Sequence, residues 1–279
     1  MTGAILFLTL LGLALGVLIG IATKVFAVYI DPRVEETEDL LPGANCGGCG
    51  LAGCSEFAKA LVAGKVEPTD CPVCSSDDIN AIGKVLGIKA LSEIKDVAVV
   101  MCCGDNENSP ELSLYNGIND CASAVFAAGS VKACRYGCLG LGSCVHACPF
   151  NAIEITEAGI ALVHPDLCVG CGKCVEACPR DLIKLVPETA ECHILCSSPL
   201  KAPAQRKVCK TGCIGCRKCL KEAGKDSIEM DGFLAKIKYE NAPKIELVNA
   251  CPVKTIKPKL GLEEKLKKIT EAKKVKEGK

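Results

Sequence analysis

The hydrophobic pattern divides the chain into one long apolar block and a series of short ones. Ile5 to Thr23 carries no charge, and the apolar stretch around it runs from about Gly3 to Tyr29. About 19 such residues wound as a helix cross the hydrocarbon core of a bilayer. Gly12, Gly16 and Gly20 recur at every fourth position, on one helix face where a neighbouring membrane helix could approach. Asp31 to Pro42 reads as a short acidic linker. A helix is expected over Glu56 to Val62, capped by Ser55 and ended by Gly64. Asp77 to Ile94 has helical patterning in two pieces, and a further helix is expected over Asn119 to Ala128. Val97 to Met101 is an apolar, strand-like run, and strands are expected at Ile153 to Ile155, Ile160 to Val163 and Ile183 to Val186. Gly261 to Lys279 alternates Lys and Glu as a solvated helix or tail, with docking to an acidic carrier or anionic lipid as the alternative.

The chemistry lies in the cysteines. Cys168, Cys171, Cys174 and Cys178-Pro179 stand in the C-x2-C-x2-C-x3-C-P run that ligates cubane iron–sulfur clusters. Cys138, Cys144 and Cys148-Pro149 repeat it, with Leu141 where Cys171 stands in the other copy. In such modules the last Cys of each run serves the other cluster. One cluster is therefore expected on Cys148, Cys168, Cys171 and Cys174. The other is expected on Cys138, Cys144, Cys178 and a substitute for Leu141. Cys134 is the first candidate and Cys121 the second; a three-iron cluster is the remaining option. Upstream, Cys46, Cys49, Cys54 and Cys71 form C-x2-C-x4-C-x16-C among glycines that let the backbone close around a cluster, which leaves Cys74 spare. Zinc would be the bland alternative at each site.

The chain then repeats itself. Cys209-Lys-Thr-Gly-Cys213 echoes Cys134-Arg-Tyr-Gly-Cys138, and Cys216 and Cys219 follow, but Ala223-Gly224 replaces the next Cys-Pro. Cys251-Pro252 supplies the fourth ligand downstream, while Asn241, Lys244 and Leu247 occupy the three preceding ligand positions. This half keeps the four ligands of one cluster, Cys213, Cys216, Cys219 and Cys251. Cys102 or Cys103 with Cys121 and Cys134 could build one more site, and Cys192, Cys196 and Cys209 could supply most of another; the alternative is buried, inert thiols. The expected cofactors are thus at least four and up to six [4Fe-4S] clusters. His146, His164 and His193 are scattered and read as structural, with His193 a minor candidate ligand beside Cys192.

Composition narrows the setting. The chain has 279 residues, 23 of them Cys, and only 4% aromatics. Metal ligation compensates for so light a core. A formal net charge of zero implies no nucleic-acid face. Thiolate clusters need a reducing compartment. Lys24 and Arg33 follow the apolar span and nothing basic precedes it, which places the N-terminus outside and the remainder in the cytosol. No Ser-His-Asp set, P-loop or dinucleotide fingerprint is present, so no catalytic residue is expected.

Taken together, the apolar anchor, the C-x2-C-x4-C-x16-C motif and the ferredoxin runs, in that order, resemble the B subunit of the Rnf complex, a membrane-bound, ion-translocating ferredoxin:NAD oxidoreductase. The resemblance implies an α+β chain: a single transmembrane helix (3–29), a four-cysteine 4Fe-4S domain (30–90) and a cysteine-containing linker (91–133). A two-cluster ferredoxin-like module (134–188), a degenerate module (189–258) and a lysine-rich tail (259–279) follow. It implies an electron-transfer subunit in the cytoplasmic membrane of a prokaryote, fed by soluble ferredoxin and passing electrons to membrane and peripheral partners. A membrane-tethered polyferredoxin serving another oxidoreductase is the alternative. Ferredoxins as a class are acidic, and the best basic face for docking one is Lys201, Arg206, Lys207, Lys210, Arg217, Lys218 and Lys221.

Overall fold

The computed structural model describes residues 2–26, 31–88 and 94–277. Helix α1 (Thr2–Val25) keeps its Leu, Ile and Val side chains exposed, Leu13 at 69%. Its segment Ile5–Val25 is long and apolar enough to cross a membrane. A Cβ added at Gly12, Gly16 or Gly20 would meet nothing within 4 Å, so that face is open.

A helix, α2 (Pro32–Asp39), forms in the stretch that reads as an acidic linker. Asp31 caps it, accepting from the Arg33 N–H at 3.0 Å, and Pro32 occupies the first turn, where a missing N–H costs nothing. Val34 and Thr37 turn inward, toward Phe57, Ala58 and Leu61 of α3 (Cys54–Val62). Ser55 does not cap α3; Gly53 does, at φ 137°, so Cys54 opens the helix. Gly64 follows it in the left-handed region, as expected. Ser75 and Asp78 form a capping box on α4 (Ser76–Leu86), whose Ile82 completes this first core. Part of the second helical piece expected before Ile94 falls outside the described residues.

The central module is built from β1 (Asp96–Val100), α5 (Cys121–Ala128), α6 (Ser143–His146), β2 (Ile153–Ile155), β3 (Ala161–Val163), α7 (Lys173–Glu176) and β4 (Ile183–Pro187). β2 and β3 form a hairpin. β1 pairs antiparallel with β4, Asp96 opposite Pro187 and Val100 opposite Ile183, so a strand from the expected linker closes the module. Val97, Ala98, Ile153, Val163, Leu182 and Val186 fill its core.

The second module follows the same plan. Its elements are β5 (Cys192–Ile194), α8 (Ala202–Val208), α9 (Lys218–Ala223), β6 (Ile228–Asp231), β7 (Leu234–Ile237) and β8 (Ile256–Pro258). β5 pairs antiparallel with β8, and β6 and β7 form the hairpin. The last described element is α10 (Glu263–Glu277), tied back by Lys265 to Glu191. The first cysteine loop touches the central module: a Cβ on Gly48 would stand 3.0 Å from the Cys171 carbonyl oxygen.

Candidate cluster-binding sites

Cys148, Cys168, Cys171 and Cys174 line one cavity, floored by Ala98 and Ile153. The last cysteine of the first run therefore sits with three from the second, as the crossover requires. Backbone amides point at the sulfurs. Ala98 N–H donates to Cys168 Sγ at 3.3 Å and Ala152 N–H to Cys148 Sγ at 3.4 Å. Gly170 makes the close approach: at φ 70°, a Cβ there would lie 2.5 Å from the Asp96 carbonyl oxygen of β1.

Cys138, Cys144 and Cys178 line a second cavity, and the fourth cysteine there is Cys121, not the first-choice Cys134. The reason is a short polar staple. Asp120 caps α5 by accepting from Ser123 N–H at 2.7 Å. Its other oxygen accepts from the Ser143 hydroxyl at 2.8 Å, and Ser143 Oγ accepts from Cys121 N–H at 2.6 Å. Ser143 precedes Cys144, so the start of α5 is fixed beside α6. Leu141, at the position of the missing ligand, packs around Ala124 with Leu139 and Cys121. Burial pushes the Cys144 thiol up to about 12, with Cys138, Cys121, Cys178 and Cys174 adding to it. Cys174 is likewise raised to about 12, by burial first and then by Cys168, Cys171 and Cys148. α6 packs on α7 and Cys174 is a neighbour of Cys144, so the two cavities adjoin.

Two cations, Lys132 buried and Arg180 half-buried, accompany these thiols. Lys132, 1% exposed, donates to the Gly159 carbonyl at 2.6 Å. Arg180 donates to the carbonyls of Gly137 (2.5 Å) and Gly129 (2.7 Å). Neither has a carboxylate partner among the described residues. A buried cation facing only carbonyls is poorly compensated. The cysteine sulfurs beside them would supply the missing negative charge once ionised, which suits an anionic thiolate-held group.

In the first unit, Cys49, Cys54, Cys71 and Cys74 pack against the core of α2, α3 and α4. Cys54 N–H donates to Asn45 Oδ1 at 2.8 Å. A hydrogen bond with the Cys74 thiol pulls Cys71 down to about 6, and the same contact raises Cys74, so Cys74 is a companion of Cys71. Cys46 lies near Cys171, across the contact with the central module.

In the second module, Cys219 is raised to about 11 by burial, with Cys213, Cys216 and Cys251 as contributing neighbours. Thr255 N–H donates to Cys251 Sγ at 3.3 Å, as Ala152 does to Cys148 and Leu182 (3.4 Å) to Cys178. Cys216 alone among the 23 cysteines is exposed. Cys192 lies apart, its thiol donating to the carbonyls of Pro243 and Lys244 at 3.6 Å. His193 is taken up by the Tyr239 hydroxyl at 3.1 Å, and His164 by Glu154 at 3.2 Å. The remaining cysteines, Cys102, Cys103, Cys134, Cys196 and Cys209, gather at the seam between the two modules. Among the described residues no three His, Cys, Asp or Glu are drawn tightly enough around one point to hold a single ion. The cysteine sets are spaced more widely than that.

Comparison with known proteins bears on two of these regions. The model for a putative Fe-S cluster matches residues 41–73, and the model for a 4Fe-4S dicluster domain matches residues 133–182. Over 246 residues the chain is 43% identical to the B subunit of the Na(+)-translocating ferredoxin:NAD(+) oxidoreductase complex of Acetobacterium woodii, covering 88% of this chain and 74% of that one. It is 39% identical to the B subunit of the ion-translocating oxidoreductase complex of Methanosarcina acetivorans, covering 88% and 94%. It is also 39% identical to the B subunit of the proton-translocating ferredoxin:NAD(+) oxidoreductase complex of Clostridium ljungdahlii, covering 90% and 89%. At these identities, sustained over most of both partners, the chain belongs to the family of B subunits of ion-translocating oxidoreductase (Rnf) complexes.

Proposed function

We propose that this chain takes single electrons from reduced ferredoxin and relays them to the membrane partners of an ion-translocating ferredoxin:NAD oxidoreductase. The observation that carries the reading is the convergence of cysteines from separate runs, above all Cys148 with Cys168, Cys171 and Cys174. Four [4Fe-4S] sites follow. They are Cys46, Cys49, Cys54 and Cys71; Cys148, Cys168, Cys171 and Cys174; Cys121, Cys138, Cys144 and Cys178; and Cys213, Cys216, Cys219 and Cys251. Clusters held there supply one-electron redox chemistry. The protein's part is to bury the sulfurs, aim amides at them and place cations beside them.

Ferredoxin docks at the second module. Lys201, Arg206, Lys207, Lys210, Arg217, Lys218 and Lys221 are all exposed, and Cys216, the exposed ligand, lies directly before Arg217. The neighbouring sites then run from Cys216 through the central module to Cys46, in the unit that follows the anchor. The anchor crosses the membrane with its N-terminus outside.

Anaerobically prepared protein mixed with reduced ferredoxin should lose its visible absorbance as its clusters reduce. Reversing charge with the double variant K218E/K221E should raise the half-saturating ferredoxin concentration about tenfold without loss of iron, because rim charges steer association. Protein that ferredoxin does not bleach would overturn the reading.

A further inference from the structure

The seam between the two modules holds thiols that none of the four sites uses. Cys102, Cys134 and Cys209 come from three loops, and all are buried, at 8%, 7% and 6% exposure. Two glycines bring them together. A Cβ on Gly104 would stand 3.3 Å from Cys209 Sγ and 3.7 Å from Cys102 Sγ. A Cβ on Gly137 would stand 3.4 Å from Cys102 Sγ and 3.7 Å from Cys134 Cβ. Neither glycine adopts a left-handed conformation, so the backbone does not demand glycine at either position. What these positions need is room among the sulfurs. Cys103 joins them through Thr211: its thiol donates to the Thr211 carbonyl at 3.8 Å, while Cys209 Sγ lies 3.6 Å from the Thr211 hydroxyl.

Two further observations point to a bound group here. Gln205 is fully buried, yet neither its amide nitrogen nor its amide oxygen has a hydrogen-bond partner. It lies against Gly212, the repeat's counterpart of Gly137, four residues before Cys209. Orphaned buried donors of this kind are rare unless something fills the site. The seam sulfurs also lie between the sites. Cys138 N–H donates to Cys102 Sγ at 3.3 Å. Toward the second module the link runs through Cys196, a neighbour of Cys103, whose Sγ accepts from Cys213 N–H at the same distance.

We infer that Cys102, Cys103, Cys134 and Cys209 form a fifth cluster-binding site, an iron–sulfur site shared between the two modules. It rests on the four-site reading above and completes it. Without it, the Cys213 site would be joined to the Cys121 site only across the protein of the seam. With it, the neighbouring sites form one continuous series.

Iron and acid-labile sulfide per chain, measured on the anaerobically prepared full-length protein, test the inference. About twenty of each are expected from five cubanes, against about sixteen from four. C134S, C209S and the double variant C134S/C209S should each hold about four fewer irons than the parent, because both thiols serve one site. C192S, at a thiol that lies apart from all these sites, should keep the full complement. A parent count of about sixteen would overturn the seam site and leave the four-site reading standing, whatever the variants do. A double variant that loses about eight irons, or single variants that lose none, would overturn it as well. A parent count well below sixteen would instead overturn the four-site reading, and the seam site with it.

Discussion

The central and second modules are two copies of one plan that differ by a cysteine set, and the difference shows what stands where the second set is missing. Each copy closes with an antiparallel strand pair, β1 with β4 and β5 with β8, and carries one hairpin. Cys102 and Cys196 each accept an amide from the first cysteine of the following run, Cys138 and Cys213. The central copy gives its interior to two cysteine sets, and Cys102, Cys144, Cys168 and Cys174 belong to its buried core. In the second copy the second set is gone. Leu247 stands at one of its former ligand positions, and its neighbour Ile245 is fully buried. Ala223 replaces the crossover cysteine and packs against the second module's core. Apolar side chains stand where the central module has thiols, and burying them is the other way besides metal ligation that a small module gains folding free energy.

The largest way to break the comparison is to remove Cys121, the ligand proposed for the central module's second set. C121S should cost about four irons per chain, one cubane, because it opens the site shared with Cys138, Cys144 and Cys178. Adding L141C should restore them, since it returns the standard C-x2-C-x2-C spacing to the run that holds Cys138 and Cys144. Iron and sulfide analysis reads both variants. A C121S chain with its iron intact would exclude Cys121 as a ligand.

That ligand also marks the limit of what the sequence makes legible. Cys-Pro spacings and the strands Ile153–Ile155 and Ile183–Pro187 follow from local pattern, because each is set by residues a few positions apart, and the crossover follows from the repetition of the run. Cys121 lies far upstream of Cys138, and only the Asp120–Ser143 bridge brings it in. The one local signal is a capping Asp immediately before a cysteine. β1 is readable as a strand but not as the partner of β4, since pairing between strands so distant in sequence depends on the closed module. α2 is hidden by its charge: Val34 and Thr37 are its buried residues, and the rest of it looks like a linker.

A smaller test separates the modules by pH. His193 of β5 is 5% exposed, and burial, with a lesser push from Lys259, lowers its pKa to about 4. Counting from the Cys102–Cys196 correspondence, the central module has Val99 at this position. A histidine whose folded pKa is depressed stabilises above its unfolded value of about 6.5, and that contribution fades as pH falls toward 4. The second module should therefore lose about 1.4 kcal/mol by pH 5.5, a loss absent from the central one. Hydrogen exchange on the β5–β8 pair against the β1–β4 pair, between pH 7.5 and 5.5, would show it. H193V should flatten the β5–β8 response at some cost at both pH values, because it strands the Tyr239 hydroxyl. Equal pH responses in the two strand pairs would refute it.

The smallest effect lies at a position the fold uses three times. Three residues after Cys148, Cys178 and Cys251 stand Asn151, Asp181 and Lys254, all left-handed, with φ 52°, 51° and 56°. Each turns the chain so that the next amide reaches back to the cysteine: Ala152, Leu182 and Thr255 donate to Cys148, Cys178 and Cys251. Asn and Asp accept this conformation because their short polar side chains hydrogen-bond locally, whereas Lys gains no such compensation. The central module thus uses suited residues twice, and the second module uses an unsuited one once. K254N should stabilise the second module by about 0.5 kcal/mol, within the roughly 1 to 2 kcal/mol that a left-handed residue costs. D181K should destabilise the central module by a similar amount. Denaturant midpoints of the cluster-loaded protein would resolve both, and the sign of the pair is the test. If K254N and D181K move stability in the same direction, the turn is set by contacts particular to each copy rather than by a conformational demand shared across the repeat.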